Sequence, residues 1–231
     1  MCTVTYLPLE NNNFIFTSNR DETPLRKTMP PKKYLENGVE LTYPKDELAG
    51  GTWIGTSEKQ RLVCILNGGF ENHKRILPYK MSRGIIVKKA LIEDDFVEYI
   101  NTFDFTNIEP YTLIIVDWSK ELLAFELVWD GHQKHFSKIE NKPKIWSSAT
   151  LYNSEMKAER QKWFQKWLQE NEGFTQDDIL KFHQNEELGA KETSIKMKRN
   201  FVETVSTTSI LKKDDNIEMK YFDYLNGVKK S

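Results

Sequence analysis

Two short β-rich runs, residues 3–7 and 14–17, flank the turn-forming segment Glu10-Asn11-Asn12-Asn13 at the start of the chain. This pattern predicts a β-hairpin, which returns the far end of the second run to the beginning of the first. The far end is the polar stretch Ser18-Asn19-Arg20-Asp21-Glu22, a dense polar knot whose plainer reading is a satisfied turn. The beginning is Cys2, directly behind Met1. A small residue after Met1 lets the methionine be trimmed. Residue 2 would then carry a thiol and an α-amine together, a nucleophile with its own base. The hairpin therefore predicts Asn19, Arg20 and Asp21 beside Cys2.

The rest of the chain reads as strands and helices in groups. Thr23-Pro24 and Pro30-Pro31 mark a loop, and residues 34–43 hold a strand around Gly38. Gly50-Gly51-Thr52-Trp53-Ile54-Gly55 places three glycines around a tryptophan, which implies close backbone approach or unusual dihedrals. Residues 61–66 form an apolar strand ending in Asn67-Gly68-Gly69. Ser82 caps a helix, and a second helix follows Glu93-Asp94-Asp95. Strands are expected at 111–116, 121–129, 132–139 and 144–148, with a hairpin turn at Asp130-Gly131. Residues 154–169 form an amphipathic helix with Met156, Trp163, Phe164, Trp167 and Leu168 on one side. Thr175 caps another helix through His183, and 202–211 with 217–221 make a final hairpin. Grouped strands with grouped helices indicate an α+β chain, read as a single domain over residues 1–231.

Composition narrows the function. A formal net charge of −1 argues against nucleic-acid affinity driven by bulk electrostatics. Four histidines and two cysteines offer no metal-ligand spacing, and no cofactor is expected. Cys64 lies in the apolar run 62–66 and reads as a core residue. No apolar run reaches the roughly 20 residues of a membrane helix, and no signal-peptide pattern precedes Cys2. The expected location is cytoplasmic, where a thiol stays reduced.

An amide or ester hydrolase needs a nucleophile, a base, an oxyanion donor and an orienting group. Cys2 and its amine supply the first two. Arg20 is placed to lower the thiol pKa, Asp21 to hold the α-ammonium group, and Asn67 to donate to an oxyanion. Trp53, with Phe70 and Tyr79, suggests an apolar wall.

Met1-Cys2-Thr3, the tetrapeptide Asn19-Arg20-Asp21-Glu22, the 50–55 glycine motif and Leu66-Asn67 resemble the NRDE family, also called the transport and Golgi organization protein 2 family. That family is similar to N-terminal nucleophile hydrolases of the choloylglycine hydrolase and penicillin V acylase type. The resemblance implies a four-layer αββα sandwich with Cys2, Arg20, Asp21 and Asn67 as catalytic residues. In the acylases the corresponding Arg and Asp are separated by two residues; here they are adjacent. The acylases also use a mid-chain Asn and a late Arg. Here those regions offer Ser147-Ser148 with Asn153 beyond, and Arg199 upstream of the last hairpin. Asn19, Trp53, Ser148, Asn153 and Arg199 are accordingly the candidate substrate-binding residues. The expected function is hydrolysis of an amide or ester bond in a small molecule. The alternative is a non-catalytic binding or trafficking protein for haem, lipid or acyl-CoA, with His73, His132, His135 and Cys2 as the conceivable haem ligands. Expected partners are a small-molecule substrate or ligand and, after the habit of the related acylases, a second copy of the chain.

Overall fold

A computed structural model describes residues 3–230. Met1 and Cys2 lie outside the described residues, and so does every expectation that rests on them. In chain order the elements are β1 (Thr3–Pro8), β2 (Phe14–Glu22), β3 (Thr28–Glu36), β4 (Val39–Asp46), β5 (Ile54–Ser57) and β6 (Arg61–Asn67), then α1 (Arg83–Ile92) and α2 (Phe96–Thr102). There follow β7 (Tyr111–Asp117), β8 (Leu123–Trp129), β9 (Lys134–Ile139), β10 (Lys144–Ser147), α3 (Ser154–Glu170), α4 (Gln176–His183), β11 (Glu203–Lys213), β12 (Asn216–Asp223) and β13 (Val228–Lys230). The chain is α+β, as expected.

The chain divides into two units. The first joins the two ends of the sequence, up to Leu25 and from Lys142 onward. It holds an antiparallel sheet in the order β10-β1-β2-β11-β12-β13. One face of this sheet meets α3 and α4 in a cluster of Leu7, Ile15, Ile145, Phe164, Ile179, Phe182 and Ile195. Trp163, Trp167 and Leu168 pack against that cluster, so the apolar stripe foreseen on α3 is core. Met156 packs instead against Tyr152 and Met197.

The second unit is the uninterrupted segment Arg26–Asn141. Its sheet runs β3-β4-β5-β6-β7-β8-β9, every neighbour following its predecessor in sequence. The centre of that sheet is apolar: Leu62 to Leu66 and Leu113 to Val116 are all buried, Cys64 among them. No helix is long and apolar enough to cross a membrane among the described residues.

Three expectations change. The Ser18–Glu22 stretch is not a turn: β2 continues through it, and eight of its nine residues are buried. Polar residues persist in a buried strand because neighbouring elements supply their hydrogen bonds. Pro30 and Pro31 lie inside β3, at a register shift between Met29 and Lys32. Proline has no N–H for the ladder, and β3 is an edge strand, where this is tolerated. Residues 34–43 are not one strand but a hairpin. It turns at Asn37 and Gly38, whose φ values of 51° and 82° suit a two-residue loop. The short β13 has no counterpart in the sequence reading.

The 50–55 glycine motif has a packing cause. A Cβ on Gly51 would lie 2.6 Å from the carbonyl carbon of Gly84 in α1, and one on Gly84 would lie 2.8 Å from the Thr52 oxygen. Two backbones meet there, tied by a hydrogen bond from Thr52 N to Gly84 O. Neither can yield as a side chain would. Gly51→Ala is expected to cost about 1–3 kcal/mol by overpacking, read as a lower urea midpoint with an unchanged slope. An unchanged midpoint would show that the backbones can part without loss.

Candidate functional site

The register of the hairpin sets Thr3 opposite Asn19 and Val4 opposite Ser18. Successive side chains on a strand point to opposite faces, so the tetrapeptide is divided. Asn19 and Asp21 lie on the face covered by α3 and α4, and Arg20 lies on the other.

Asn19 is fully buried. Its Nδ2 donates to the carbonyls of His183 (2.9 Å) and Ile195 (3.0 Å). Its Oδ1 accepts from the Thr207 hydroxyl (2.8 Å) and from His183 Nδ1 (3.0 Å). Two carbonyls around Nδ2 leave only one orientation for the amide. All four hydrogen-bonding positions of the Asn19 side chain thus go to protein. One of them satisfies the last carbonyl of α4, which has no partner within the helix.

The same bonds define His183. Because Asn19 Oδ1 can only accept, His183 Nδ1 carries the proton, and Nε2 accepts from the Thr5 hydroxyl at 2.8 Å. Burial, aided by the Arg160 charge, pulls the His183 pKa down to about 3. The ring is neutral in the folded protein, whereas the unfolded chain protonates it near 6.5. Stability from this group is therefore complete above about pH 6.5 and declines as pH falls towards 3. Between pH 7 and pH 5 the wild type should lose roughly 2 kcal/mol that His183→Gln does not lose. Urea titrations at the two pH values measure the difference, and equal losses in both proteins would exclude a buried neutral His183.

Asp21 is held at both oxygens. Tyr152 Oη donates to Oδ2 at 2.9 Å, and Thr204 Oγ1 donates to Oδ1 at 2.6 Å. A β-bulge makes the second bond. The register shifts between Thr204 and Ser206, so Thr204 faces Asp21 and Ser206 faces Arg20. Val205 is the extra residue, and in an unbulged register its apolar side chain would oppose the carboxylate.

Arg160 of α3 ties these parts together and was not foreseen. It occupies the apolar stripe of the helix yet has no solvent exposure. Its guanidinium donates to the carbonyls of Thr193 and Ser194 and to the Thr3 hydroxyl. It stacks 3.7 Å from the centre of the Tyr152 ring. A charge in an apolar stripe is the only sequence signal that could have exposed this role. Arg160→Met would leave buried carbonyls without donors, and a loss of about 3 kcal/mol is expected. A thermal melt within a degree or two of wild type would contradict this.

The opposite face of the sheet carries Ser18, Arg20, Ser206 and Thr208 in cross-strand register, all at most 3% exposed. Ser206 Oγ and Thr208 Oγ1 are buried without a hydrogen-bond partner among the described residues.

The remaining expected residues have these places. Ser148 is buried, its hydroxyl 3.0 Å from that of Thr150. Asn153 caps α3, accepting from Met156 N at 2.9 Å. Arg199 donates to the carbonyls of Glu192 and Leu151. These three thus fasten the segments leading into and out of the Tyr152 turn. In the second unit, Trp53 is 4% exposed. Asn67 ends β6, opposite Tyr111. The turn after it is pinned: Gly68 adopts a left-handed φ of 85°, its N–H donates to Pro110 O, and its carbonyl accepts from Thr112 Oγ1. His73 Nε2 lies 3.4 Å from Glu109, and His135 Nε2 lies 2.8 Å from Asp130. Among the described residues no group of three or more His, Cys, Asp or Glu side chains could hold a metal ion.

Solved structures share this fold. An N-acylethanolamine-hydrolyzing acid amidase ortholog from Caenorhabditis elegans superposes with a TM-score of 0.62 at 12% identity, over 90% of this chain and 92% of that one. A variant of conjugated bile acid hydrolase from Clostridium perfringens gives a TM-score of 0.50 at 10% identity, over 99% of this chain and 96% of that one. The fold they share with this chain is the N-terminal nucleophile hydrolase fold. No curated protein matches the sequence. The model of the family Transport and Golgi organisation 2 matches residues 1–223. The chain belongs to that family.

Proposed function

We propose that the chain is an N-terminal cysteine hydrolase that cleaves a carbon–nitrogen amide bond, or an ester bond, of a small molecule. The observation that carries the reading is the bracing at the start of β1. Thr3 is buried, held by Arg160 and set opposite Asn19, while Asp21 on the next strand is fixed at both oxygens. A braced Thr3 supports the reading, because proximity catalysis requires a nucleophile carried on a rigid neighbour. The buried Ser206 and Thr208 hydroxyls, in line with Arg20, add polar groups of the kind a substrate could engage.

In the proposed mechanism, removal of Met1 frees the α-amine of Cys2. The amine takes the thiol proton, and sulfur attacks the carbonyl carbon. Asn67 stabilises the oxyanion. Collapse breaks the carbon–nitrogen bond, and the ammonium proton passes to the leaving amine. Water, deprotonated by the same α-amine, then attacks the thioester and releases the acid. Arg20 favours the thiolate. Asp21, already anchored by Tyr152 and Thr204, supports the terminus. Ser148, Asn153, Arg199 and Asn19 shape the surroundings through the contacts described above. The names of the structural neighbours describe an acid amidase that hydrolyses N-acylethanolamines and a hydrolase of conjugated bile acids, and both support the reading.

Intact-mass measurement of the cellular protein should show loss of Met1. A panel of N-acyl amides of increasing chain length should then give a substrate whose turnover falls by about 10³-fold or more in Cys2→Ala. Retained Met1, or turnover that survives Cys2→Ala, would overturn the assignment.

A further inference from the structure

Among the described residues, nine large apolar side chains are exposed, and three of them fall within one short loop of the second unit: Phe70 (55%), Ile76 (74%) and Leu77 (69%). The loop joins Gly69 to α1 and carries Lys74, Arg75 and Lys80 against one carboxylate, Glu71. Exposed apolar side chains usually occur singly and need no explanation. An adjacent Ile-Leu pair more than two-thirds exposed, with cations on both sides, is a different arrangement.

The loop is braced at its base. Lys80 N donates to Asn107 O at 2.8 Å, and Lys80 Nζ meets Asp104 at 2.6 Å. Glu109 collects three side chains: Arg75 at 3.2 Å, Arg83 at 3.2 Å and His73 at 3.4 Å. The Phe70 ring lies against His135, 4.9 Å between centres. At the tip, Ile76 N donates to Tyr79 Oη at 2.9 Å, which closes the turn and leaves Ile76 and Leu77 pointing away from their own chain. Two guanidinium groups share the single Glu109 carboxylate, and Lys74 has no ion pair among the described residues. The base of the loop is therefore left with positive charge. The acids around it are Glu71, Asp104, Glu109 and Asp130, and the last three are already engaged.

We propose that the loop spanning residues 70–80 docks the protein on an anionic lipid bilayer. Ile76, Leu77 and Phe70 enter the headgroup region, and Lys74 and Arg75 meet the lipid phosphates and carboxylates. The chemistry favours a bilayer over a protein partner. A stable protein interface covers about 800 Å² on each side, whereas a few inserted apolar side chains with neighbouring cations suffice for reversible membrane association. Each cation near an anionic surface adds about 1 kcal/mol, roughly a fivefold gain in partitioning. The contact is one of surface docking and needs no spanning segment. It stands apart from the hydrolase reading, because binding does not require Cys2.

Co-sedimentation of the full chain with vesicles tests this. Wild-type protein, and equally Cys2→Ala, should pellet with phosphatidylcholine vesicles containing about 30% phosphatidylserine, and at least fivefold less with phosphatidylcholine alone. The double variant Ile76→Ser, Leu77→Ser should lose binding by about tenfold, and Lys74→Glu by about fivefold or more. Both variants alter exposed side chains, so their thermal melts should match wild type, which separates lost docking from lost folding. Failure of the wild type to bind the anionic vesicles would overturn the proposal. So would undiminished binding by the Ile76/Leu77 variant, or equal binding to neutral vesicles.

Discussion

The bonds around the Asn19 amide support much of the first unit. A buried strand with five consecutive polar residues, Thr17 to Asp21, is unfavourable unless most of its groups find partners. Asn19 meets that demand by reaching four places at once: the end of α4, the segment at Ile195, Thr207 on β11 and the His183 ring. Each of those partners is then constrained in turn. His183 is limited to one tautomer, and Thr5 of β1 is drawn into the same network. Two strands, a helix and the Ile195 segment are joined through one side chain, and β1 is added through the His183 ring.

Strand alternation assigns the members of the tetrapeptide to different tasks. Asn19 and Asp21 turn towards the helices and act as fasteners. Arg20, between them, is delivered to the other face beside Ser206. The bulge at Val205 preserves this division along β11 by keeping a hydroxyl opposite Asp21 and another opposite Arg20. Arg160 completes the arrangement from α3, since it touches Thr3 and stacks on the tyrosine that holds Asp21. The chemistry proposed for this region would thus rest on a frame whose parts come from residues 3 to 207.

Much of this was legible in the residues. The Asn-rich turn, the glycine motif, the capping residues Ser82 and Thr175 and the Asp130-Gly131 turn are local signals, and each marks the element it predicts. The Asn19-Arg20-Asp21-Glu22 stretch misleads because local composition favours a turn, while β11, which extends the strand to Glu22, and the side-chain partners of Asn19 and Asp21 lie more than 130 residues away. Pro30-Pro31 misleads for a related reason: whether a strand tolerates proline depends on its place at a sheet edge, which is a property of the sheet. Arg160 and His183 look like a surface charge and a helix-end histidine. Only tertiary contacts show that one is a buried tie and the other a neutral one.

The first unit's sheet is made from both ends of the chain, and this orders events during synthesis. β1 and β2 leave the ribosome first, but β10, α3 and β11 follow only after the whole of the second unit. At about 5–20 residues per second, several seconds separate the first strand from the residues that enclose it. During that interval Thr3 lacks Arg160 and Ser147, and Asn19 lacks all four of its partners. Thr3 and Asn19 are open to solvent while the nascent chain grows, and β10, α3 and β11 enclose them afterwards.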